Sequence, residues 1–76
     1  MRETLMEILG DLRPDVDFEK ETNLISGGIL ESLDIVSLVS ELTDEFDITI
    51  RPKDLVPENF NSVDAMLALI TKLVEE

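Results

Sequence analysis

Seventy-six residues with neither cysteine nor histidine make one small domain, without disulfides, thiolate or imidazole catalysis, or an ordinary zinc site. Eighteen acidic residues against six basic ones give a net charge of −12, which repels nucleic acid and anionic membranes and favours partners with basic patches. No stretch approaches the ~20 apolar residues of a membrane span, and residues 1–7 are broken by charges where a signal peptide has its apolar core, so a cytoplasmic, monomeric protein is expected.

Leu5, Ile8, Leu9 and Leu12 recur at the i, i+3, i+4, i+7 spacing of one helical face. Pro14 forces the residue before it into an extended form, so the first helix is predicted over residues 2–12. Residues 13–30 read as a long loop, a feature that in a small domain tends to be functional. Within it Asp15, Asp17, Glu19 and Glu21 alternate with Val16 and Phe18, and Leu24, Ile25, Gly27 and Gly28 follow. Val16, Phe18, Leu24 and Ile29 are expected to tack it to the core. A strand over residues 15–19 is the alternative, with no partner strand evident. Asp15-x-Asp17-x-Glu19 begins like a calcium loop, but Lys20 and Ser26 stand where that loop needs glycine and glutamate. A solvated acidic loop is the reading that remains.

The second helix is predicted from Ser32 to about Phe46. At about 100° per residue Ile35, Val39, Leu42 and Phe46 share a buried face, flanked by Val36. Leu33 falls opposite, among Ser37, Ser40, Glu41 and Asp44, where it can anchor a partner. Ile48, Thr49 and Ile50 alternate like a short strand. Residues 51–57 read as a short helical turn that Pro52 opens and Pro57 closes. Asn61 or Ser62 caps the last helix, Asp64 lies in its first turn, and Val63, Met66, Leu67, Ile70, Leu73 and Val74 form its apolar stripe. The chain is therefore expected to be all-α: a small four-helix bundle with a short third helix, a long loop between helices one and two, and a single domain over residues 1–76.

Ser32 is the residue with the most to say about function. One reading is an N-cap, its oxygen accepting from an N–H two or three residues on. Ile35 stands where a glutamate or glutamine would complete a capping box on that serine. The other reading is covalent modification: a phosphodiester on Ser32 would sit at the positive end of the helix dipole, facing unpaired amide donors. Gly27-Gly28 is too short to cradle a nucleotide phosphate. Without histidine, and with no carboxylate pair in a setting that suggests a buried pocket, catalytic residues are not expected.

Residues 24–36, with the acid-Ser-Leu triplet Glu31-Ser32-Leu33 at the helix start, resemble the attachment segment of acyl carrier proteins and related peptidyl and aminoacyl carriers. The resemblance extends to Glu41, Leu42 and Phe46, to residues 48–50, to the short third helix and to Ser62-Val63. It implies that a phosphopantetheinyl transferase moves 4′-phosphopantetheine from coenzyme A onto Ser32. It also implies that the arm carries an acyl or aminoacyl group as a thioester between acyl- or aminoacyl-activating and acyl-transferring enzymes. On this resemblance Glu31, Leu33, Asp34, Val36, Glu41 and Asp44 are the expected partner-binding residues, with Leu33 and Val36 framing the root of the arm. For a fatty cargo, apolar side chains between helices two and four would open to sheathe the chain. Most relatives have aspartate where Glu31 stands, and fatty-acid-type carriers usually have an acid at the position of Ser37. Residues 57–62 are more similar to stand-alone D-alanyl and other aminoacyl carriers. The cargo readings are accordingly an acyl group of fatty-acid or lipid synthesis or, as the alternative, D-alanine or another aminoacyl or peptidyl group. A reading of another class is a non-catalytic acidic interaction domain in which Ser32 only caps.

Overall fold

A computed structural model describes residues 2–75. Its helices are α1 (Arg2–Leu12), α2 (Ser32–Phe46), α3 (Pro57–Phe60) and α4 (Val63–Glu75), with a single 3-10 turn over Pro52–Asp54. The all-α bundle with a short third helix and a long first loop is the architecture its apolar periodicities predict.

In α1, Leu5 and Leu9 are fully buried and Ile8 and Leu12 pack half-buried beside them. The helix ends where Pro14 denies it a donor. The buried stripe of α2 is centred on Leu38 and Leu42, with Ile35, Val39 and Phe46 half-buried at its edges. Val36 does not flank the buried face. It lies about 100° round the helix from Ile35, and because Leu38 shifts the stripe the other way, Val36 is left 67% exposed. In α4, Leu69 joins Val63, Met66, Ile70 and Leu73 in the core, whereas Val74 is half-exposed.

No strand forms among the described residues. Ile48 is buried, Thr49 exposed and Ile50 half-buried, so the alternation there is that of an extended chain lying on the core, with no neighbouring strand to pair with. Residues 15–21 close in turns, with the N–H groups of Lys20 and Glu21 donating to the carbonyl of Asp17. Pro57 opens α3 and does not close the preceding turn. A proline at the first position of a helix removes only an N–H that would have no partner there. One turn on, Phe60 is buried and anchors α3 in the core.

The long loop is packed tightly. Phe18, Leu24 and Leu30 are buried, with Val16, Ile25 and Ile29 half-buried. The N–H of Leu30 donates to the carbonyl of Leu24 at 2.8 Å, closing residues 24–30 into a knot just before Ser32. Two glycines make the knot possible. A Cβ on Gly27 would stand 2.6 Å from the carbonyl oxygen of Asn23, and Gly28 has φ +74°. Ser62 caps α4, its Oγ accepting from the N–H of Ala65 at 3.1 Å. Asn61 instead grips the knot: its carbonyl accepts from Leu24 N–H at 2.9 Å, and its Oδ1 accepts from Ile25 and Ser26 N–H at 3.0 and 2.9 Å.

Candidate functional site

Ser32 is not the cap of α2. The N-cap is Glu31, in extended conformation, and Ser32 is the first residue of the helix proper. The capping bond comes from the third helical position, where Asp34 Oδ2 accepts from the backbone N–H of Glu31 at 3.0 Å. The Ser32 hydroxyl is thus exposed and has no capping duty. Its immediate surroundings are the first-turn amides of α2, which have no partner inside the helix, and the positive end of the helix dipole. An exposed hydroxyl on an ordered helix start, next to such donors, fits a phosphodiester-linked group.

Asp34 was legible as an acid near the serine but not as the residue that secures it. Its side chain is only 20% exposed and pairs with Arg13, whose Nη1 donates to the same Oδ2 at 3.0 Å. Arg13 Nη1 also donates to the carbonyl of Ile29 at 3.1 Å. The rest of its guanidinium forms a fork to Asp15, with Nε to Oδ1 at 3.2 Å and Nη2 to Oδ2 at 3.1 Å. These bonds push the Arg13 pKa further up, the Asp15 hydrogen bond first and the Asp34 bond next. The same hydrogen bond holds the Asp15 carboxyl below the usual carboxylate range. Arg13, absent from the sequence-derived site, thereby joins the end of α1, the end of the loop and the first turn of α2.

Around Ser32 the remaining expected partner residues are solvent-facing. Leu33 is 78% exposed, and Glu31, Val36, Glu41 and Asp44 are exposed as well. They spread from the serine down the outer face of α2, acids around an apolar pair. Two shallow openings border α2. One, about 150 Å³, is apolar, formed by Ile25, Ile35, Leu55, Val56, Pro57 and Phe60. It opens between α2 and α3, not between α2 and α4, and Ile35 is the surface neighbour of Ser32 one turn on. The other, about 260 Å³, lies between α1 and α2 and mixes Ile8 and Leu12 with Asp11, Ser37 and Glu41.

A family model described as "Phosphopantetheine attachment site" matches residues 1–70. Among individual proteins, the chain is similar to the D-alanyl carrier protein of Streptococcus suis (strain 98HAH33), at 27% identity over 75 residues that cover 97% of the chain and 95% of the relative. It is similar to the D-alanyl carrier protein of Lactococcus lactis subsp. cremoris (strain MG1363), at 26% identity over 100% of the chain and 99% of that relative. A third likeness is to aminoacyl carrier protein 1 of Bradyrhizobium diazoefficiens, at 35% identity over 54 residues, 71% of the chain and 59% of the relative. No solved structure gives a significant match.

Proposed function

The chain belongs to the phosphopantetheine attachment-site family of carrier proteins, and on that premise we propose that Ser32 is its attachment residue and that its cargo is an amino acid, D-alanine or one like it. The observation that carries the assignment of Ser32 is its hydroxyl, exposed at the first position of α2 while Asp34 does the capping. This also removes the ground for reading Ser32 as a mere cap. The relatives named above are D-alanyl and aminoacyl carriers, which supports an amino acid as cargo over the fatty-acid reading.

In the loading step Ser32 Oγ attacks the phosphorus that bears the pantetheine of coenzyme A. The Oγ–P bond forms as the bond to adenosine 3′,5′-bisphosphate breaks, and the serine proton passes to a base on the transferase. When attached, 4′-phosphopantetheine supplies the terminal thiol that a cysteine-free chain lacks, and the cargo is held there as a thioester. The chain's own residues position and recognise, and perform no catalysis. Glu31, Glu41 and Asp44 attract enzymes with basic patches, raising encounter rates more than holding strength. Leu33 and Val36 supply apolar contact next to the attachment point. Asp34 serves the same site from inside, by holding the start of α2.

Incubation with coenzyme A and a broad-specificity phosphopantetheinyl transferase is expected to add one phosphopantetheinyl unit to the intact mass, and Ser32→Ala to abolish the addition. An unchanged wild-type mass, or label that survives Ser32→Ala, would refute the assignment. For the cargo, the loaded form is offered to a D-alanine-activating ligase and to a fatty-acyl synthetase. Thioester formation with the fatty acid alone would overturn the aminoacyl reading.

A further inference from the structure

We propose that Arg13 is a positioning residue for the modification of Ser32, acting through Asp34 and the carbonyl of Ile29. This rests on Ser32 being the attachment residue. Ser32 lies between two points that a single guanidinium holds: Ile29 three residues before it and Asp34 two residues after it. Those two partners are 16 and 21 residues from Arg13 in the chain, so the contact is a tertiary clamp and not local helix chemistry. The fork to Asp15 fixes the arginine itself, so that the clamp is anchored to the turn that follows α1.

The other hydrogen bonds given for this segment do not reach the end of α1. Asn61 holds residues 24–26, and the bonds from Leu30 to Leu24 and from Gly28 to Ile25 are internal to the knot. Among the described residues, the hydrogen bonds that join residues 29–34 to the end of α1 come from Arg13. The chemistry also requires arginine: a planar fork with five donors can serve two carboxylates and a carbonyl together, which an ammonium group on a flexible stem cannot reproduce. Both members of the Arg13–Asp34 pair are partly shielded, with side chains 30% and 20% exposed, so the pair is less screened than a surface ion pair.

Phosphoryl transfer depends on placing the attacking oxygen in line, and a misplacement of about 1 Å can cost about a hundredfold in rate. The exposed residues through which an enzyme would recognise α2, Glu31, Leu33, Val36, Glu41 and Asp44, are not partners of Arg13. Loss of the clamp therefore affects turnover more than encounter.

The test measures phosphopantetheine transfer to wild type, Arg13→Ala, Arg13→Lys and, as control, Leu73→Ala, at a temperature where circular dichroism shows each variant folded. Leu73 lies near Asp47 and Ile48, at the opposite end of α2 from Ser32, so its truncation lowers stability without touching the clamp. Arg13→Ala is expected to lower the transferase kcat about tenfold or more with KM for the carrier changed less than about threefold. Arg13→Lys is expected to fall between it and wild type, and Leu73→Ala to keep wild-type kinetics. If Arg13→Ala is too unstable to assay, Arg13→Lys and Asp34→Asn carry the same expectation of a kcat loss at nearly constant KM. Wild-type kinetics in the clamp variants, or equal losses in Leu73→Ala, would overturn the proposal. A wild-type chain that is not modified at all would instead bring down the assignment of Ser32, and this inference with it.

Discussion

Asn61 holds Ser26 from two sides, its Oδ1 accepting from the Ser26 N–H at 2.9 Å and its Nδ2 donating to Ser26 Oγ at 3.1 Å. Since Oδ1 also takes the N–H of Ile25, one side chain satisfies two backbone donors of the loop 35 and 36 residues away. The end of α3 is thereby fastened to the knot that leads into α2.

Truncating that side chain leaves the two donors with only water to bond. Asn61→Ala is expected to destabilise the fold by about 1–3 kcal/mol, read from urea unfolding, and to speed amide exchange at residues 25 and 26. Asn61→Asp keeps the acceptor, and its second oxygen can accept from the Ser26 hydroxyl where Nδ2 donated, so its loss is expected to be smaller. Equal losses for the two would mean that the acceptor is not what matters.

Asp47 closes α2 in the left-handed conformation, with φ 52° and ψ 49°, and no basic residue stands in the last turn of that helix. A non-glycine residue is strained there, and an acid is on the wrong end of the dipole. Asp47→Gly is expected to raise stability by about 0.5–1 kcal/mol, a few degrees in Tm for a domain of this size. A lower Tm would show that the Asp47 carboxylate makes a contact worth more than the strain.

The Asp15 carboxyl is held below its ordinary value, first by its hydrogen bond from Arg13. For a carboxyl lowered in the folded state, the stabilisation is complete above the unfolded value of about 3.9 and is lost as pH falls through the lower folded value. NMR titration is expected to give an Asp15 midpoint below about 3.9 in the wild type and a rise toward the ordinary range in Arg13→Ala. An unmoved midpoint in that variant would mean the fork is absent in solution.

Leu33 is 78% exposed. Leu33→Ala is expected to leave stability within about 0.5 kcal/mol, while raising the KM of a loading enzyme for the carrier about fivefold or more, as a lost interface anchor does. Unaltered kinetics with every carrier-dependent enzyme tried would remove Leu33 from the partner surface.

Local signals in the chain predict the helices well. Pro14 and the apolar spacing of residues 5–12 bound α1, and the same reasoning places α2 from Ser32 to Phe46. Leu38, Leu69 and Leu30 were overlooked as core because each lies just outside the stripe or segment that periodicity picks out, and only packing decides which edge of a stripe is covered. Pro57 suits both the end of one turn and the start of the next, and the burial of Phe60 settles it. At the site, Ser32 stands out through the residues around it. The pairing of Arg13 with Asp34 spans 21 residues, and Asn61 reaches across 35. Nothing local marks such partners, because side chains brought together by a loop's path leave no spacing to read.

Delegating the α2 start to Asp34 leaves the neighbouring Ser32 hydroxyl free of helix duty. A serine that capped its own helix would have its hydroxyl engaged before modification, and each attachment or removal of a group would reset the stability of the fold. Here the hydroxyl is a bystander to the helix, so a group placed on it would displace no capping bond.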